Sequence, residues 1–148
     1  MKLRVLLVDD NLLILESLRK ILEATPDIEV VGVVANGAKV LEAAGKARPD
    51  VVCMDINMPG LSGIEATRQL LAVHPKVKVI GLSVHTSMAS VVVMLNAGAM
   101  GFVTKSDTGS ELLQAIRMVS QSQTYLSAGL RLGGAAELGR FAVRATPA

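Results

Sequence analysis

Val51-Val52-Cys53-Met54-Asp55-Ile56-Asn57-Met58-Pro59-Gly60 is the stretch on which the fold turns. Four apolar residues run directly into a carboxylate, and a Pro-Gly turn follows. A short apolar run bounded by breakers reads as a strand buried on both faces. Asp55 then lies where that strand surfaces, at its carboxyl end. In open parallel α/β sheets this is the edge where ligands bind. A lone Asp there reads as the start of a loop, so the case for function depends on what else reaches the same edge.

Outward from this strand the pattern repeats. Upstream, Leu3–Val8 is an apolar, β-rich run ending at Asp9-Asp10-Asn11, and Leu12, Leu15, Leu18, Ile21 and Leu22 follow at helical spacing. Glu16, Arg19 and Lys20 occupy the other face of that helix, and either Asp10 or Asn11 caps it. Ile28–Val34 reads as a second strand, Asn36-Gly37 as a turn, and Ala38–Ala47 as a modest helix. Downstream, a helix is expected over Ile64–Val73, a fourth strand over Val77–Leu82 ending in Ser83, and an apolar helix over Met88–Ala97. A fifth strand, Gly101–Thr104, ends in Lys105, and Ser110–Ser120 forms a fifth helix with Leu112, Leu113, Ile116 and Val119 as its stripe.

Strand and helix alternate five times with short connections. That order predicts a doubly wound, five-stranded parallel sheet with helices on both faces, flavodoxin-like, in strand order 2-1-3-4-5. The expected domain covers residues 1–121, with 122–148 as a tail.

Composition narrows the classes. Hydrophobic residues make up 51% of the 148 and aromatics 2%, so the core must be aliphatic. The single cysteine, Cys53, excludes an internal disulfide and any multi-cysteine metal site, and reads as a small buried hydrophobe. No stretch reads as a membrane span or a signal sequence, so a cytoplasmic protein with no membrane contact is expected. The net charge of +2 resides wholly after Thr124, where Arg131, Arg140 and Arg144 face Glu137 alone. That is too little to argue for nucleic acid.

The polar residues ending the strands carry the chemistry. The first strand ends in Asp9 and Asp10, the third in Asp55, the fourth in Ser83 and the fifth in Lys105. Taken singly, these read as a helix cap, a turn residue and an exposed lysine. Together, with the first and third strands adjacent, they place three carboxylates in one crevice. Such carboxylates raise one another's pKa unless a cation intervenes. A hard divalent ion with oxygen ligands, Mg2+, suits the set, and Lys105 adds a second positive charge.

The chain resembles the receiver domain of two-component response regulators. The resemblance rests on Leu6-Leu7-Val8-Asp9-Asp10, Asp55-Ile56-Asn57-Met58-Pro59 with Gly63, Gly81-Leu82-Ser83, and Gly98-Ala99 through Gly101-Phe102-Val103-Thr104-Lys105. It covers about 120 residues, in order and at matching spacing. The resemblance implies that Asp55 accepts a phosphoryl group. It further implies that Asp10 ligates Mg2+ directly and Asp9 through its outer shell, and that the Asn57 carbonyl completes the protein ligands. Lys105 would pair with the phosphoryl oxygens, Ser83 would bond the group once present, and Phe102 would be the aromatic switch. The implied function is a phosphoacceptor signalling switch that catalyses only its own phosphorylation and dephosphorylation. Its implied partner is a sensor histidine kinase or phosphotransfer protein.

Departures from the family pattern are local. Ser106 follows Lys105 where many receivers have proline, so no cis-proline bond is expected. Phe102 replaces the commoner tyrosine, which removes a hydroxyl and favours burial. Asn57 and His85 stand two residues after Asp55 and Ser83, positions that tune phosphate hydrolysis in the family. His85 reads as a loop or water-positioning group rather than a metal ligand.

Lys105-Ser106-Asp107, Glu111-Leu112-Leu113 and Tyr125-Leu126-Ser127 resemble the NarL-type subgroup, whose members carry a helix-turn-helix output domain. Only 21 residues follow Ser127, too few for that module, so no DNA binding is expected from this chain. A short helix over Ala135–Val143 is one expectation for the tail, fraying of its end another.

Two other functional classes compete. One is a magnesium-dependent aspartate-nucleophile phosphohydrolase, which generally shows Asp-x-Asp at its first strand. The other is a nucleotide or flavin binder, which lacks here both a glycine-rich phosphate loop and aromatics for stacking. The uncharged run Met88–Leu95 suggests a homodimer or partner contact through that helix or the fifth.

Overall fold

In the computed structural model, the described residues are 2–84, 87–105 and 108–127. Ten of the expected elements are present: β1 (Leu3–Val8), α1 (Leu12–Glu23), β2 (Ile28–Val34), α2 (Val40–Ala47), β3 (Val51–Asp55), α3 (Gly63–Val73), β4 (Lys78–Ser83), α4 (Met88–Asn96), β5 (Gly101–Thr104) and α5 (Thr108–Ser120). Two others were not expected. A turn of 3-10 helix, Gly37–Lys39, precedes α2, and a short strand, β6 (Tyr125–Leu126), follows α5.

The sheet is parallel, and its order is β2-β1-β3-β4-β5-β6. The flavodoxin-like order of the first five strands is as expected, but the sheet has six strands rather than five. The sixth is only two residues long and shows no alternation to betray it. Its pairing depends on β5 being an open edge: Tyr125 N–H bonds Met100 O at 3.1 Å and Ser127 N–H bonds Phe102 O at 3.0 Å. Ser127 Oγ then accepts from Thr104 N–H at 2.9 Å, and Tyr125 OH donates to Glu111 on α5 at 2.9 Å.

Alternating residues of the strands feed two cores. Leu6, Val8, Val52, Met54, Val79 and Phe102 face α2, α3 and α4. Val5, Leu7, Val51, Cys53, Ile80 and Val103 face α1 and α5. All five residues of β3 are buried, as its apolar run requires.

Local signals explain the helix starts. Asn11, rather than Asp10, caps α1, accepting from Leu13 and Ile14 N–H at 3.0 and 3.3 Å. Ser62 caps α3 through Glu65 N–H, and Ser87 caps α4 through Ser90 N–H. The apolar α4 spends Val91, Met94 and Leu95 on the core and leaves Val93 exposed. Among the described residues no helix is long and apolar enough to cross a membrane. There is no cis peptide bond among them. Ser106, His85 and the tail helix expected over 135–143 lie outside the described residues.

Candidate functional site

β1 and β3 are neighbours in register, with Val8 opposite Met54. Their next residues, Asp9 and Asp55, therefore emerge side by side at the carboxyl edge of the sheet. Each carboxylate accepts the backbone N–H two residues on. Asn11 N–H donates to Asp9 Oδ1 at 2.9 Å, and Asn57 N–H donates to Asp55 Oδ1 at 3.1 Å. These local bonds orient both side chains into the crevice.

Lys105, immediately after β5, reaches across to both. Its Nζ lies 2.6 Å from Asp9 Oδ2 and 3.2 Å from Asp55 Oδ1, and the three side chains are 9%, 1% and 2% exposed. One cation thus serves two buried carboxylates, leaving a net negative charge where water is excluded. Asp9 Oδ2 has the ammonium beside it but no aligned hydrogen bond, so its lone pairs are only partly satisfied. Burial pushes the Asp55 carboxyl up to about 6. The Asn57 N–H opposes that rise, Asp9 reinforces it, and Lys105 opposes it again.

Asp10 is exposed at the mouth of the crevice. Asp9, Asp10 and Asp55 each offer an oxygen, and these atoms lie within 4.8 Å of one another. An all-oxygen set of three carboxylates with an under-satisfied buried oxygen fits a hard divalent cation such as Mg2+, and offers nothing to a thiophilic metal.

The other side of the crevice is built from β4. Leu82 O accepts from Ile56 N–H at 3.1 Å, which holds the chain after β3 against the end of β4. Ser83 is fully buried, and its Oγ accepts from Asn57 Nδ2 at 3.3 Å. Phe102 is fully buried beneath it, against Gly81, where an added Cβ would lie 3.0 Å from both Phe102 and Met94. The expected burial of this hydroxyl-free ring is what the structure shows. Gly63 closes the floor: a Cβ there would sit 2.0 Å from the Asp55 carbonyl oxygen. Only glycine lets α3 begin this close to the end of β3.

Seven of the residues singled out from the sequence, Asp9, Asp10, Asp55, Asn57, Ser83, Phe102 and Lys105, therefore belong to one edge of the sheet or lie directly beneath it, and the eighth, His85, lies outside the described residues. The sequence reading did not foresee two features. One is that Lys105 bridges Asp9 and Asp55 directly. The other is that the Asn57 side chain reaches Ser83. Long side chains crossing a crevice leave no periodic trace, so no pattern in the sequence could have shown these contacts.

Comparison with known proteins agrees with this geometry. The family profile described as the response regulator receiver domain matches residues 5–117. The response regulator GacA of Pseudomonas viridiflava is 41% identical over 125 residues, covering 84% of this chain and 58% of that protein. DegU of Brevibacillus brevis, a transcriptional regulatory protein, is 38% identical over 84% of this chain and 53% of its own length. The chain thus spans little more than half the length of these curated relatives. A LuxR-family two-component response regulator from Aurantimonas sp. SI85-9A1 superposes with a TM-score of 0.88 at 31% identity, covering 93% of this chain and 99% of that one. With the acid crevice, the sheet order and these likenesses in agreement, the chain belongs to the response regulator receiver domain family, among relatives of the NarL/LuxR type.

Proposed function

We propose that this chain is a phosphorylation-dependent signalling switch, taking a phosphoryl group on Asp55 from a sensor histidine kinase or phosphotransfer protein in the cytoplasm. The observation that carries the reading is the Lys105 ammonium in contact with both Asp9 and Asp55, with Asp10 beside them. Buried, like-charged groups held by one cation are poised to receive a further cation and an anionic phosphoryl group.

Phosphoryl transfer needs little covalent chemistry from a protein and much positioning and charge neutralisation. Asp10, Asp55 and the Asn57 carbonyl would ligate Mg2+, with Asp9 in its outer shell. The bound ion would offset charge on the phosphoryl oxygens. An Asp55 carboxylate oxygen attacks phosphorus, the bond from phosphorus to the donor breaks, and the donor leaves with its electron pair. Lys105 turns its charge from the carboxylates to a phosphoryl oxygen. Ser83 exchanges its contact with Asn57 for a hydrogen bond to the new group, and Phe102 and the α4–β5 region follow. The added charge favours one of two existing conformations, which alters contacts with a partner or a second copy.

On this reading residues 1–121 form the receiver unit, and catalysis is confined to the protein's own phosphorylation and its reversal. The adjacent acid pair at the end of β1 and the family membership both favour a switch over the phosphohydrolase. Incubation with acetyl phosphate and magnesium, read by intact mass, tests it. The wild type should gain one phosphoryl group and Asp55→Asn none. Continuous release of phosphate from a monoester without a labelled protein would reject the switch in favour of the hydrolase.

A further inference from the structure

The opposite edge of the sheet carries a second built feature. Between the carboxyl ends of α2 and α3 lies an open groove of about 630 Å³. Its rim carries the cations Arg48 and Lys76, with His74 between them, and among the described residues no carboxylate lines it. Its floor is apolar, formed by Pro49, Val73 and Val77, and Val73 is 57% exposed. A smaller hollow continues from it past Lys76 to Lys78 and Lys2. Asp50 lines that hollow, but its carboxylate already accepts from Arg4 N–H at 2.9 Å.

Cations near helix carboxyl ends can serve the helix dipoles alone. Here that task has another occupant at α2. The Arg4 guanidinium donates to Ala47 O at 2.6 Å and to Arg48 O at 3.3 Å, which satisfies the last helix carbonyl and the one after it. The Arg48 side chain is exposed and left facing the groove. Gly45 gives an independent indication. It sits inside α2 on the groove wall, where glycine costs about 1 kcal/mol relative to alanine. Among the described residues nothing lies within 4 Å of a Cβ built there, so no contact between them requires glycine.

We propose that this groove docks an acidic peptide segment of a partner protein that carries an apolar anchor. The apolar side chain would cover Val73 and Val77, and flanking carboxylates would meet Arg48 and Lys76. Charge complementarity selects this occupant: a cationic rim without an acid, around an apolar floor, matches an acidic segment with one buried side chain. The groove lies at the start of β3 and Asp55 at its end, about 13 Å away at strand rise. Docking therefore leaves the acid crevice open, and the two sites can be used together.

Panning a random phage-displayed peptide library against the whole chain tests the proposal, followed by NMR shift mapping and fluorescence anisotropy with the strongest binder synthesised. Enriched peptides should share glutamates or aspartates around an apolar residue, and shifts should cluster at Gly45, Arg48 and Val73–Val77. Affinity should fall more than tenfold in Gly45→Glu and in Arg48→Glu/Lys76→Glu. All the replaced side chains are exposed, so melting temperatures should stay near that of the wild type, and labelling by acetyl phosphate should be unchanged. Three results would overturn it: no acidic enrichment, binding insensitive to both variants, or sedimentation with phosphatidylglycerol vesicles in place of peptide binding.

Discussion

The two faces of the sheet are packed with different materials. The layer under α1 and α5 is rich in branched aliphatics, among them Leu15, Leu18, Leu22, Ile80, Ile116 and Val119, and the described methionines that join it, Met100 and Met118, are only partly buried. The layer under α2, α3 and α4 holds Met54, Met58 and Met94 together with Phe102. Branched side chains have few rotamers and define one arrangement, whereas methionine adapts to more than one. The adaptable layer is the one beneath Ser83 and α4, where the proposed switch must repack. Both layers rest on β1 and β3, whose carboxylates must stay in register, through alternate residues of each strand.

Truncations in the rigid layer should have the largest effect and would break the comparison if they did not. Leu18→Ala and Ile116→Ala are each expected to lower unfolding free energy by about 3–4 kcal/mol in denaturant titrations, because both sites are fully enclosed and leave cavities.

Gly63→Ala marks where the adaptable layer ceases to adapt. There the new methyl group meets the backbone oxygen of Asp55, not a flexible side chain. A loss of about 2–3 kcal/mol is expected, with a fall in the rate of labelling at Asp55 as the end of β3 is displaced. An unchanged labelling rate would show that the close approach does not position Asp55.

Met94→Leu sharpens the contrast. The volume is nearly conserved, so stability should change by less than about 1.5 kcal/mol. The stiffer side chain lies against Gly81 and, through it, Phe102, and should reduce the amide shifts of α4 and β5 caused by beryllofluoride. Shifts equal to those of wild type would remove the link between methionine and switching.

The smallest effect belongs to the solvent side of the rigid layer. Arg117 on α5 holds the Asp27 carboxyl below its ordinary value, chiefly by its hydrogen bonds at 3.1 and 3.4 Å. A depressed carboxyl pKa contributes stability above the unfolded-state value, and that contribution is lost as pH falls through the folded value. The stability difference between wild type and Asp27→Asn should therefore be present near neutrality, vanish in acid, and shrink in high salt because the pair is exposed. A difference that persisted below the usual carboxylate range would contradict the assignment.

What the sequence disclosed follows from which signals are periodic. Continuous apolar runs and helical stripes located ten elements, and strand-end polarity located Asp9, Asp55, Ser83 and Lys105 before any coordinates. Tyr125–Leu126 escaped because a two-residue strand has no period, and its partner edge exists only after the other five strands assemble. Likewise the bridge from Lys105 to two carboxylates and the reach of Asn57 to Ser83 depend on side-chain length across a gap. The division of the core into rigid and adaptable layers is visible in the sequence only once strand alternation is known, since Cys53 and Met54 are neighbours facing opposite ways.

The central claim is that Asp55 is the group that accepts phosphorus, with Lys105 and the neighbouring acids arranged around it. Borohydride reduction of the protein after treatment with acetyl phosphate and magnesium, followed by peptide mass spectrometry, reads this residue by residue. The account predicts homoserine at position 55 and at no other aspartate. Homoserine at Asp9 or Asp10, or an unmodified Asp55 in protein that carries phosphate elsewhere, would contradict it.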